Sequence, residues 1–259
     1  MKHVVFIFSL VVIVFMMALL IINHQEKVPM RLLSVQKYYS YLYEEGIEMK
    51  VSLYVNDIDH PIAYALSYDK IELMNADESK KLEMSLDKIT LGYEESYLNE
   101  TYHEMTIHMF LPDLGENYVI EDLFMHMVLL DGQDYLISLG TLSLMSISSD
   151  TNALDWTALE GHKAPDLFIS RLGIINIEYL NLEQPIEQIR IGIDYSISFE
   201  TQSEKIILTI PDEDMLLDDV PIVIYFSDGA IQTIANFKYM FDYEILKESG
   251  LLITTYALN

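Results

Sequence analysis

Met105, His108 and Met109 in one run, and Met125, His126 and Met127 in another, are the residues most suggestive of chemistry in this chain. Thioether sulfur and neutral imidazole together suit Cu(I). Strand geometry separates them: along an extended chain Met125 and Met127 point to one face and His126 to the other, and His108 likewise opposes Met109. Methionine commonly fills irregular core space, so both runs are expected to be strands with buried thioethers. A second candidate lies in residues 211–219. There Asp212, Glu213, Asp214, Asp218 and Asp219 offer carboxylate oxygens, of which Ca²⁺ takes six to eight. The spacing is not that of an EF-hand, and Met215, Leu216 and Leu217 interrupt it. A solvated loop between strands suits it better, so no cofactor is assigned and calcium stands as the alternative.

Nucleophilic chemistry finds less. Ser34 and Lys37 have the Ser-x-x-Lys spacing of penicillin-interacting enzymes, and Ser227-Asp228-Gly229 partly resembles their Ser-Asp-Asn. That chemistry needs the serine at the start of a helix and a Lys-Thr-Gly strand. Ser34 instead opens a tyrosine-rich, strand-like stretch, and Lys-Thr-Gly is absent. Phosphate-cradling glycine loops, Gly-x-Ser-x-Gly and His-Glu-x-x-His are also missing. A pair of acids of the glycosidase kind has no distinguishing signal among 41 Asp and Glu. No catalytic residue is assigned. The only tryptophan, Trp156, is expected to plug a seam between two domains; exposed, it would instead grip a partner or a sugar ring.

Charge narrows the partners. A formal charge of −26 repels phosphate backbones, so nucleic acid is excluded as a partner, and the acidity serves solubility. With no cysteine, no disulfide holds the fold together. Half of the residues are apolar and spread along the whole chain, which argues for a packed body rather than disorder.

The elements that would position these residues begin with an apolar run at 4–22, interrupted only by Ser9. At ~1.5 Å per residue it would span roughly 29 Å, about one hydrocarbon thickness. No small-x-small cleavage site follows it, so it is expected to be an uncleaved signal anchor. Residues 1–3 would form a short cytoplasmic tail and 23–33 a juxtamembrane segment. A two- or three-residue tail stays inside and long following domains translocate regardless of charge, which puts the bulk of the chain outside the cytoplasm, as a single-pass protein of the cell membrane.

Beyond the anchor, strand patterning dominates. Ile189, Ile191, Ile193, Tyr195, Ile197 and Phe199 alternate with polar residues in a strict period of two. Ile89, Leu91, Tyr93 and Tyr97 repeat that parity one hundred residues earlier. The register also aligns Gly92 with Gly192, Glu100-Thr101 with Glu200-Thr201 and Ile107 with Ile207. With small gaps, Asp131-Gly132 answers Asp228-Gly229, and Lys70 to Asn75 answers Asn176 to Asn181. A tandem duplication follows. Both Asp-Gly pairs suit tight hairpins, and Glu44-Glu45-Gly46 is expected to turn the first one. The expected fold is all-β: two tandem antiparallel β-sandwich domains of broadly immunoglobulin-like kind at 34–148 and 166–259, with a linker at 149–165. Runs at 34–43 and 243–256 are expected as strands. The tyrosines of the first run, Tyr38, Tyr39, Tyr41 and Tyr43, would either rest at the membrane surface or cover the base of the first domain.

The function these features suggest is a non-catalytic, membrane-anchored interaction or adhesion module with a protein partner at the cell surface. Its competitors are an accessory subunit of a membrane transport or secretion complex and an enzyme acting on cell-wall glycan.

Overall fold

The computed structural model describes residues 29–42, 46–112, 114–147, 149–163, 172–192, 195–210, 216–217, 219–238 and 245–258. The expected span at 4–22 lies outside them. Among the described residues no helix is long and apolar enough to cross a membrane.

Period-two patterning produces nearly all of the structure. The first half holds β1 (Arg31–Val35), β2 (Lys37–Leu42), β3 (Glu48–Val55), β4 (Tyr68–Met74), β5 (Lys81–Glu83), β6 (Ser85–Tyr97), β7 (Glu100–Phe110), β8 (Tyr118–Leu129) and β9 (Asp134–Met145). The second holds β10 (Leu154–Lys163), β11 (Leu172–Leu182), β12 (Ile186–Ile191), β13 (Tyr195–Thr201), β14 (Lys205–Thr209), β15 (Leu216–Leu217), β16 (Asp219–Phe226) and β17 (Ile231–Lys238). A one-turn helix α1 (Ile245–Glu248) and β18 (Ile253–Ala257) follow. On β7, Met105, Ile107 and Met109 are fully buried while Thr106 and His108 face outward, as alternation requires.

Strand order identifies the architecture. One sheet runs β18-β1-β3-β7-β6 and the other β15-β2-β9-β8-β4-β5, with a single apolar core that includes Leu53, Ile107, Leu123 and Leu142. The neighbours β1-β3-β7-β6 against β9-β8-β4 reproduce the A-B-E-D and G-F-C sheets of the immunoglobulin sandwich, with β2 added parallel beside β9. The remaining strands run β10-β11-β14-β13-β12-β16-β17, the same A-B-E-D and C-F-G sets joined into one rolled sheet. The join is β13, which pairs with β12 through its first residues and with β14 through its last. A second core lies inside this roll, around Ile175, Ile189, Ile222 and Phe226.

Strand β2 belongs to both cores. Its parity sends Tyr39 and Tyr41 into the first and Tyr38 into the second. The Tyr38 ring meets Tyr195 edge-on at 4.8 Å between centroids. Gly192, at φ +62°, leaves room for it: a Cβ there would stand 2.5 Å from the Tyr38 hydroxyl. The three described tyrosines of the first run are therefore core residues, and neither expected role for them holds. Tyr43 is outside the described residues.

Several boundaries differ from expectation. The stretch expected as a linker at 149–165 carries β10, which pairs with β11 at the sheet edge. The run expected as one strand at 243–256 is α1, a 3₁₀ turn and β18. Moreover, β18 closes the first sheet beside β1 instead of ending the second sandwich, with Arg31 opposite Ala257. Leu246 of α1 packs under Leu33, Val35, Tyr54 and Tyr102 on the outer side of that sheet. The connection through Gly46 is no hairpin, because β2 and β3 lie in opposite sheets.

The two Asp-Gly turns, by contrast, are built alike. Leu129 N–H donates to Gln133 and Gly132 to the Leu129 carbonyl, and Phe226, Ala230 and Gly229 repeat the pattern, each glycine at φ near +90°. Ile107 and Ile207 also sit on the equivalent strands β7 and β14. Other matches do not correspond: Ile89 is in β6 but Ile189 in β12, Glu100-Thr101 open β7 but Glu200-Thr201 end β13, and 70–75 are in β4, the third strand of its sandwich order, whereas 176–181 are in β11, the second.

Tyr38→Ala should lower stability by about 3–5 kcal/mol, the range for emptying a buried aromatic site. Gly192→Ala should also destabilise, and the two together should cost less than their sum, because the lost ring vacates the space the new methyl needs. Urea denaturation of the four variants measures the coupling. Gly140→Ala, at φ +116° with its Cβ against the Lys37 carbonyl, should break the parallel β2–β9 pairing and leave little folded protein.

Candidate interaction face

The outer face of β5, β4, β8 and β9 collects a connected polar group on the first sandwich. Register places Lys81, Met74, Phe124 and Ser138 in one row across the strands, and Glu83, Glu72, His126 and Leu136 in the next. Lys70, Val128 and Asp134 form the third. At the centre Glu72 is almost fully buried. Lys70 reaches it at 2.6 Å, Lys81 at 2.9 Å and His126 Nδ1 at 3.4 Å, while His126 Nε2 lies 3.6 Å from Asp134.

Burial alone would raise the Glu72 pKa, but hydrogen bonds from Lys70, Lys81 and His126 outweigh it and bring it down to about 2. Lys70 is raised in turn, first by its bond to Glu72. A carboxylate held this way keeps its charge at every physiological pH. It cannot serve as a general acid, and its role is to pin three cationic or polar side chains around it. Phe124, Val128 and a half-exposed Leu136 flank the cluster, so the face alternates fixed charge with accessible apolar surface.

The sequence candidates are dispersed. Met105, Met109, Met125 and Met127 are buried in the first core. His108 stands on the outer face of the opposite sheet, 2.6 Å from Glu48 and 3.0 Å from the Thr90 hydroxyl. The bond from His108 holds Glu48 below the usual carboxylate range. Among the described residues no group of three or more His, Asp or Glu is arranged to hold a metal. Ser34 is buried within β1 and donates to the Ser138 carbonyl at 2.8 Å, so its hydroxyl ties two sheets together rather than attacking a substrate. Of the calcium candidates, Asp212, Glu213, Asp214 and Asp218 lie outside the described residues, and Asp219 begins β16 opposite Lys238. Trp156 is 40% exposed on edge strand β10, between two register shifts, and does not plug the seam. Tyr38 does. Glu72 and its partners escaped sequence reasoning; the only local trace is an acid two residues from Lys70 in an otherwise apolar strand.

Stability from Glu72 is fully present above the ordinary glutamate pKa near 4.5 and is lost as pH falls toward about 2. Glu72→Gln should remove on the order of 2–3 kcal/mol at neutral pH and flatten the acid limb of the stability profile. Denaturant titrations between pH 7 and 2.5 read both effects.

Neither a known protein family nor a curated protein matches the chain. Among solved structures it is similar to the mixed-linkage glucan utilization locus protein SGBP-B of Bacteroides ovatus, at 16% identity over 84% of this chain and 47% of that one, with a TM-score of 0.24. It is also similar to fibronectin(III)-like modules of Clostridium thermocellum CbhA, at 13% identity over 80% and 90%, TM-score 0.21. Cadherin-like domains 1 to 4 of zebrafish RET follow at 10% identity over 81% and 49%, TM-score 0.23. The chain spans about half the length of the SGBP-B structure.

Proposed function

We propose that this chain is a membrane-anchored, extracytoplasmic and non-catalytic interaction module, in which two tandem β-sandwiches present a protein-binding face outside the cell. The observation that carries the proposal is the face of β5, β4, β8 and β9. A pinned charge cluster beside accessible Phe124, Val128 and Leu136 is the chemistry of a recognition surface, where fixed charges set register and apolar side chains supply affinity. The 4–22 run supports the anchoring, since its length and composition match one bilayer crossing.

Two measurements test this. Protease added to intact cells should degrade the body of the chain; full protection would overturn the orientation. A photo-crosslinking residue in place of Leu136 should capture one reproducible protein partner, and the same residue in place of Leu180 should not. Capture of nothing, or of the same background at both positions, would refute the face.

A further inference from the structure

One end of the first sandwich gathers the connections that carry the most exposed large hydrophobic residues. Arg31 at the start of β1 lies beside Asn56 at the end of β3, through reciprocal hydrogen bonds, and pairs with Glu100 at the start of β7. The β6–β7 turn, the connection from β3 to β4 and the β8–β9 turn are therefore all at the end where the described chain begins. Leu66 is 92% exposed on the β3–β4 connection, Leu98 76% on the β6–β7 turn and Leu130 68% on the β8–β9 turn. Of the described large hydrophobic side chains only Leu180, on the second sandwich, is as open.

These side chains are held out by ordered backbone. Leu66 sits in a second 3₁₀ turn after one anchored by fully buried Ile62, whose N–H is capped by His60 and whose carbonyl accepts from the Tyr68 hydroxyl at 2.6 Å. The Ser67 carbonyl accepts from Leu130 N at 2.8 Å, which fixes the second leucine beside the first. Leu98 and Asn99 both have positive φ, 50° and 67°. Asparagine or glycine meets that turn geometry without penalty, whereas a bulky leucine at the first position is strained. A strained leucine pointing into water gains nothing from folding, so its apolar surface serves contact with something else.

The position says with what. The apolar run ends at residue 22 and β1 starts at Arg31, so the intervening chain reaches at most about 30 Å. Strand β9 leaves the first sandwich at the opposite end, which carries the second one away. We propose that Leu66, Leu98 and Leu130 dip into the headgroup boundary of the bilayer in which 4–22 is anchored, with half-exposed Tyr64 at the interface, where tyrosine is favoured. Asp57, Asp59 and Asp131 lie on these connections, no described lysine does, and Arg31 at the same end is paired with Glu100, so the surface it takes is zwitterionic rather than anionic. This inference rests on the anchoring proposed above.

The chain has no cysteine, so single-cysteine variants report without background. Full-length Leu66→Cys, Leu98→Cys, Leu130→Cys and Leu180→Cys, each carrying a nitroxide, would be placed in phosphatidylcholine vesicles. Accessibility to oxygen and to a water-soluble nickel complex is then compared. The first three should show several-fold lower nickel contact than position 180, and should lose part of that protection when phosphatidylglycerol is added. Equal nickel contact at all four positions in vesicle-bound protein would overturn the inference and leave the anchor standing. Failure of the chain to float with vesicles would sink both.

Discussion

Two-sided burial of β2 is the constraint on which the rest of the structure depends. A strand with a core on each face has no wet side, and its residues read as a continuous apolar and aromatic run instead of alternating. Lys37 to Leu42 shows the consequence: nearly every side chain is withdrawn from water, Tyr39 and Tyr41 into one sandwich and Tyr38 into the other. The two cores therefore share a wall, and each is completed by residues from the other half. Gly192, at positive φ, leaves room for Tyr38 on one face of this wall, and Gly140, also at positive φ, lets β9 pair closely beside it.

Much of this was legible in the alternation of residue types. Ile189, Ile191 and Ile197 are buried as their parity requires, and the opposed faces of Met125 and His126 follow from the same rule. The Asp-Gly turns were legible because glycine's left-handed conformation is a local requirement. What escaped is what depends on partners distant in sequence. β10 has Leu154 as its one fully buried residue and owes its strand to pairing with β11, a tertiary override of weak local propensity. Nothing in a row of tyrosines says that alternate rings enter different cores. Glu72 looks ordinary until strand pairing brings Lys81 and His126 to it.

The polar groups divide between two tasks. Some hold strands together: Ser34 to Ser138, Tyr256 to Ser138, and Glu95 to the backbone of α1. Others, around Glu72, pin a surface in one electrostatic arrangement. Preorganised charge on a rigid sheet is cheap to bind against, because little side-chain freedom remains to be lost on contact.

The antiparallel seat of β18 against β1 has a consequence for biogenesis. During synthesis the outer edge of β1 stays unpaired until a strand more than two hundred residues later becomes available. An open edge for that interval is a template for wrong pairing, and closing so long a loop is slow. The first sandwich can assemble around its core while its rim waits, so the nascent protein passes through a nearly finished state whose last hydrogen-bonded ladder is supplied only after the second half has been made.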